Sequence, residues 1–523
     1  MIDNTSGHER IGRVQVCTVP MPDHLHVHNA TYTYSGKVLV SYTLEHDPAD
    51  YYHIAVVNDD GTGLKEIFAG HIPTLEKSNG IRYMPYQDNQ RILLGDYVLE
   101  CKPNIDECVR TELVPVVYPP IITENPKISH RWSEVIIAPD NRHISWTILG
   151  ESGGGTAIGT LTRANDAYVI ENVQLIGSVK SFEPDPDRPG FLKPLPKRGG
   201  EVKQFVRGGN AISLVGAKYN STTDSIVQDL TSEEITQITF TPGYDETTIF
   251  SPDEQLGIVM TSRFSKRTDP AIFGLMPRPY GMLATEGLMW SLYTYAITGV
   301  RFFRAGNIGP ALIEIDRSIN EPGYKGIQLT TDENWVYTSP MSWHPDGKRV
   351  MWLEMRRGGD PGRRRIQIAK LLDYVPKEPV PFVATTDDIP YGIRDLSLLF
   401  SDDPEVEGKI AGKHSGYIDY KRSASGHSGR SEVHYVNFSD DGVNFYNGYE
   451  KTVYNLTDEN RYEANVRLTG DKNGEMNMRA TFSAVFGPSP QKLLFDMDAY
   501  GKPKSYGYAT YNGITLRIED LLE

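Results

Sequence analysis

Residues 32–70 read YTYSGKVLVSYTLEHDPADYYHIAVVNDDGTGLKEIFAG. The order is apolar run, Ser-Gly turn, apolar run, polar loop, apolar run, Asp-Asp-Gly turn, final run. Short stretches rich in Val, Ile and Tyr and bounded by such turns are strands, so this segment is one four-stranded unit. Its central turn recurs. YQDNQRILLG (86–95), APDNRHISWTI (138–148), RGGNAISLVG (207–216), SPDEQLGIVM (251–260) and HPDGKRVMWLE (344–354) each place a polar turn directly before a β-rich apolar run. Asp, Asn and Gly tolerate tight-turn geometry, and the residues that follow alternate or run apolar as buried strands do. A repeat of roughly 45 to 70 residues with several short strands per unit predicts an all-β propeller.

SPDE, APDN and HPDGKRV, together with IAVVNDDGTGLKEI (54–67), resemble the TolB-type repeat of the WD-like β-propeller superfamily. The resemblance covers residues 14–372. It implies six blades, or seven if residues 391–400 supply another strand. It implies no single activity, because such propellers serve as scaffolds, peptidase gates and lyases. The expected division is a propeller over 1–374, a linker or closing strand over 375–409, and an antiparallel β domain, sandwich or barrel-like, over 410–523. The proline-rich VPKEPVP (375–381) reads as a stiff linker, and Asn473-Gly474 as a hairpin turn. The proline-rich stretch 181–200 is a surface connection. Residues 265–306 interrupt blade five. Their apolar members Leu288, Trp290, Leu292, Tyr293, Tyr295, Ile297, Phe302 and Phe303 are expected either as a lid over the propeller mouth or packed on a neighbouring blade.

With 39% hydrophobic residues in a chain of 523, a large core can be buried. A formal net charge of −15 argues against nucleic-acid binding, which needs a basic surface to neutralise phosphates. The longest uncharged apolar run, 287–300, is too short to span a bilayer. MIDNTSGHERIGR at the N-terminus has no apolar leader core. The expected compartment is periplasmic or secreted if a leader has been removed, and cytoplasmic otherwise. Cys101 and Cys108 flank a hairpin tip where a disulfide is one of two outcomes. Formed, it would favour an oxidising compartment. Cys17 reads as a buried apolar residue.

In a propeller the first strand of each blade lines the axis. Candidate axial residues are therefore His24, His26 and His28; Arg82, Tyr83 and Tyr86; His130 and Arg131; Lys203 and Arg207; Tyr244 and Glu246; Trp335 and Tyr337. The same topology brings Glu45-His46-Asp47, Arg263, the blade-five interruption and Arg356-Arg357 to that face. DHLHVH (23–28) sets alternate histidines on one side of a strand. His24, His26 and His130 are the candidate ligands for one divalent metal, Zn, Mn or Ca, the latter two needing added oxygen donors. Metal-free catalytic histidines and hydrogen-bonded structural ones are the alternatives. Some propellers are oligogalacturonate and ulvan lyases, and the resemblance admits that chemistry. Lysis of a uronate needs a cation at the carboxylate and a base for the adjacent proton. His26, His130, Tyr83 and Tyr244 are the candidate bases. Arg82, Arg131, Arg207, Arg263 and Tyr337 are the candidate substrate contacts. The ligand would be a small or oligomeric, anionic or carbohydrate-like molecule. The alternative is a non-catalytic module that binds protein or glycan. An enzyme predicts a deep, partly closed funnel with converging His, Arg and Tyr, whereas a binding module predicts an open, flat mouth with these side chains paired with one another.

Overall fold

The computed structural model describes residues 10–73, 83–125, 129–132, 134–149, 154–178, 180–218, 222–264, 271–280, 283–284, 288, 291–292, 308–330, 332–359, 363–400, 405–425, 427–489 and 491–521. Blade one is His26–Tyr32, Val38–Thr43, Tyr51–Val57 and Lys65–His71. Blade two is Met84–Pro85, Arg91–Leu93, Tyr97–Lys102 and Arg110–Val117. Blade three is Val135–Ile137, His143–Leu149, Gly154–Arg163 and Tyr168–Leu175. Blade four is Glu201–Val206, Ala211–Gly216, Asp224–Asp229 and Ile235–Gln237. Blade five is Asp245–Phe250, Leu256–Thr261, Gly309–Glu314 and Ile327–Gln328. Blade six takes Trp335–Trp343, Arg349–Arg356 and Arg364–Leu371 from one end of the chain and Val14–Thr18 from the other. The fold is a six-bladed β-propeller.

The closing seam pairs Val14 with Leu371 and Thr18 with Gln367. Arg13 clamps it by donating from Nε and Nη2 to the two oxygens of Asp373, at 2.9 and 2.6 Å. Blades two and three are fused where Tyr168 and Val169 pair in parallel with Val116 and Val117. Residues 391–400 add no seventh blade. Ile393 bridges to Leu175, and Leu396–Phe400 is a 3₁₀ turn.

The recurring turn has one construction. Gly36, Asn89, Asn141, Glu254 and Gly347 all have positive φ, and each donates its backbone N–H to the carbonyl three residues earlier. That conformation favours Gly and Asn. The Asp of the turn accepts the amide two residues on: Asp88 from Gln90, Asp140 from Arg142, Asp253 from Gln255 and Asp346 from Lys348. These turns define one face of the ring. The loops leading into the first strands, and those joining second to third strands, define the other, the mouth.

Residues 373–395 form a strap. The Tyr374 hydroxyl and the Lys377 amide donate to Asp253, Val380 to the Pro252 carbonyl, Val383 to that of Gly208, and Thr385 to Asp140. The strap thus crosses the turns of blades five, four and three in sequence. Ile389 and Tyr391 then pack in the seam between blades three and four.

The terminal domain is a single eight-stranded antiparallel meander from Glu405–Ala411 to Ile514–Arg517. Its buried face carries Ile418, Tyr420, Val433, Tyr462, Val466, Met476 and Met478. Among the described residues no second sheet covers that face. The covering element is the blade-five interruption: Ile272, Phe273, Met276, Leu288 and Leu292 join these residues in one cluster that extends to Met260 and Trp352 of the propeller. Alternation along the last strands is a one-face signal, and the sequence does not say which segment meets that face. Leu288 and Leu292 are buried there rather than at a lid. Trp290, Tyr293, Tyr295, Ile297, Phe302 and Phe303 lie outside the described residues. The hairpin Phe182–Pro184/Leu192–Pro194 meets the same sheet through Phe191 and Lys409. Both attachments leave the propeller at its mouth, so the terminal sheet sits on the mouth side of blades three to five.

Candidate functional site

The axis of blades three to five holds one buried lysine among three glutamates. Lys203 Nζ lies 3.0 Å from Glu201 Oε1, 3.2 Å from Glu134 Oε2 and 3.7 Å from Glu246 Oε1. Tyr244 donates its hydroxyl to Glu246 Oε2 at 3.0 Å. Local backbone geometry explains the convergence. The pairing of blade four shifts register between Val202 and Gln204, which makes Lys203 a bulged residue, and blade five shifts between Asp245 and Thr248. Blade one shifts at His28 and blade six between Thr338 and Met341. A bulge re-aims a side chain that strict alternation would commit to one face.

The Lys203 side chain is 2% exposed, against 12%, 15% and 11% for Glu134, Glu201 and Glu246. The carboxylates therefore line the accessible side and the ammonium is held behind them. Burial works against the Lys203 charge, but Glu134, Glu201 and Glu246 outweigh it and raise the ammonium above the usual lysine range. Burial pushes the Glu201 carboxyl up to about 7, with Lys203 opposing and Glu134 and Glu246 assisting. Glu201 is thus a carboxyl that can exchange a proton near neutrality.

A second cluster sits on the mouth between blades two and three. Asp96 follows the second strand of blade two. Its Oδ1 lies 3.0 Å from His130 Nε2, and its Oδ2 accepts from Arg131 Nη2 at 3.2 Å. Tyr118 packs edge-on to His130 at 4.8 Å between ring centres. Burial raises the Asp96 pKa, but His130 and Arg131 prevail and lower it overall.

The remaining candidates are dispersed. His24 is exposed in a turn ahead of blade one. His26 Nε2 meets Arg363 Nη2 at 3.2 Å, and His28 Nε2 meets Thr43 Oγ1 at 2.8 Å. Among the described residues no group of three or more His, Cys, Asp and Glu is placed to hold a metal, so His24, His26 and His130 do not form one. Tyr83 is buried in the apolar cluster between blades one and two, and burial raises its pKa. Tyr337 is buried in the blade-six core. Arg207 lies at the turn end of its strand and is bound to Asp229 Oδ2 at 2.9 Å. Arg263 is buried against Asp245 at 2.6 Å. Arg82 lies outside the described residues. Cys17, Cys101 and Cys108 are free thiols, the latter two buried.

Sequence reasoning reaches Lys203, Tyr244 and Glu246 but omits Glu134, Glu201 and Asp96. Glu201 was findable: it stands two residues before Lys203 on the same strand. Asp96 sits in the Gly95-Asp96 turn between the second and third strands of blade two, with Gly95 at positive φ, and Glu134 in the loop entering blade three.

No family model matches the chain, and no curated protein does. Solved structures do show a likeness. TolB from Acinetobacter baumannii is 14% identical over 66% of this chain and 65% of its own, with a TM-score of 0.30. An oligogalacturonate lyase in complex with manganese is 9% identical over 68% and 93%, with 0.37. Prolyl oligopeptidase B from Galerina marginata is 8% identical over 78% and 46%, with 0.28. At these scores the likeness carries no functional argument, and the propeller assignment rests on the strand order above. No helix among the described residues is long and apolar enough to cross a membrane.

Proposed function

We propose that this propeller is a non-catalytic binding module whose mouth takes a neutral or cationic group of a small-molecule, peptide or glycan ligand. One observation carries this reading: three cations of the mouth and axis, Arg131, Arg263 and Lys203, are already held by carboxylates. Arg131 is held by Asp96, Arg263 by Asp245 and Lys203 by three glutamates. A lyase needs a cation free to neutralise the substrate carboxylate. Here an incoming uronate would meet Glu134, Glu201 and Glu246 first.

The lyase reading, implied by the TolB-type resemblance, retains one supporting observation. Glu201, at about 7, is a carboxyl suited to take up a proton at physiological pH. A metal-assisted version would draw on donors other than the described His24, His26 and His130 as they stand.

Calorimetric titration tests the choice. A panel of three oligosaccharides of equal length, amino-sugar, neutral and uronate, separates the readings. The amino-sugar is expected to bind tightest and the uronate weakest, and Glu246→Gln should weaken the amino-sugar alone. Tighter uronate binding would overturn the proposal.

A further inference from the structure

We propose that the terminal sheet carries a guanidinium-binding site which the chain fills with its own Arg278, so that the described residues between 271 and 284 are a tethered ligand of that sheet. The inference is independent of the mouth.

The receptor half is built by the sheet alone. Glu450 is 1% exposed on the fourth strand of the meander, Asn444–Asn455. Tyr435 donates its hydroxyl to Glu450 Oε1 at 2.8 Å, and Tyr462 to Oε2 at 2.6 Å. These tyrosines stand on the two flanking strands, so the carboxylate is oriented whether or not a cation is present. A sheet that only needed to bury an apolar face has no use for a carboxylate at its centre, because a buried charge is tolerated only when paired and hydrogen-bonded.

The ligand half is Arg278, also 1% exposed, with Nε 3.2 Å from Glu450 Oε1. That contact is an ion pair without hydrogen-bond geometry, while Nη1 donates to the Met276 carbonyl at 2.7 Å and to Met476 Sδ of the sheet at 3.2 Å, and Nη2 to the Phe273 carbonyl at 2.9 Å. The segment is folded around its own guanidinium and presents one edge of it to the carboxylate. A lysine cannot make that planar, multi-donor arrangement.

The rest of the contact also has the chemistry of peptide recognition. Ser431 and Thr452 both donate to the Ala284 carbonyl, at 3.1 and 2.5 Å, and Tyr446 donates to that of Pro277 at 3.1 Å. Sheet side chains thus hold backbone carbonyls of Pro277 and Ala284, which lie in no strand among the described residues. Phe273 supplies the apolar anchor, 6.0 Å from Tyr462 and 5.7 Å from Phe482 between ring centres.

Chemical complementation of the full chain tests this. Arg278→Gly should lower the thermal midpoint. Guanidinium chloride at low millimolar concentration should raise it again, saturably, while ammonium chloride at equal ionic strength should not. The wild-type chain and the double variant Arg278→Gly/Glu450→Gln should show no saturable gain. Absence of rescue in Arg278→Gly, or equal rescue in the double variant, would overturn the proposal. Should Arg278→Gly fail to fold, Arg278→Lys decides by hydrogen exchange. Amides of residues 271–284 should exchange about tenfold faster than in wild type while the blades stay protected. Wild-type protection there would refute the site.

Discussion

Replacing Lys203 by Met removes the single cation from the axial carboxylates while keeping the bulk of the side chain. At an effective dielectric of about 20, one carboxylate some 3 Å away is worth roughly 5 kcal/mol of gross attraction. Most of that is offset by the desolvation of both partners, and breaking a buried pair from one side typically costs about 3–5 kcal/mol. The carboxylates have an escape, because each can take up a proton. For a glutamate starting at the ordinary value of 4.5, that uptake costs about 1.4 kcal/mol per pH unit, hence roughly 5 kcal/mol at pH 8 and under about 1 kcal/mol at pH 5. Lys203→Met is therefore expected to be severely destabilised at pH 8 and nearly tolerated at pH 5. Thermal unfolding followed by circular dichroism at four pH values between these limits would read the difference. The double variant Lys203→Met/Glu201→Gln should recover part of the loss at pH 8. A deficit of the same size at every pH, or one below about 1 kcal/mol at pH 8, would refute the reasoning.

Other outcomes follow from the same geometry. The raised pKa of Glu201 contributes stability that is full below about pH 4.5 and lost as pH rises through about 7. Glu201→Gln should accordingly flatten the stability profile between those values, seen by the same unfolding series. Arg263→Ala leaves Asp245 buried without its cation and should cost about 3–5 kcal/mol, measurable as a large drop in thermal midpoint. Tyr83→Phe should change ligand affinity less than twofold, because the ring lies in the apolar seam between blades, and a tenfold loss by calorimetry would return Tyr83 to the site. On the turn face, Asp140 is lowered to about 2: burial opposes ionisation, but the hydrogen bonds from His143 and neighbouring amides prevail. That contribution is present above the ordinary aspartate range and fades as pH falls from about 4 towards 2. His143 links Asp140 to Asp387 of the strap, at 2.6 and 3.0 Å. Limited proteolysis should cut Asp387→Ala within residues 380–395 at pH 7, while wild type resists until acidified.

The propeller was legible because its turns obey a local rule. A left-handed residue at one fixed position, and an Asp two residues before an amide it accepts, show in the sequence as SPDE, APDN and HPDG. The first strands are legible as strands but not as lining. Bulges at His28 and Lys203 break the alternation that places side chains, so the three histidines of DHLHVH do not act together. Pairing across the ring is non-local, which is why Asp96, far from His130 in sequence, was silent. The role of residues 271–292 was hidden for the same reason. Their apolar residues announce burial, but the partner sheet begins more than a hundred residues later, and Arg278 reads as a surface charge until Glu450 is known to face it.

On the proposed reading, Arg131, Arg263 and Lys203 serve the protein itself rather than a substrate carboxylate. Incubating the wild-type chain with oligouronates and following the ultraviolet absorbance of an unsaturated uronate product tests it most directly. No product is expected, with or without added manganese or calcium. Product that forms with wild type and disappears in both His130→Ala and Arg131→Ala would contradict it.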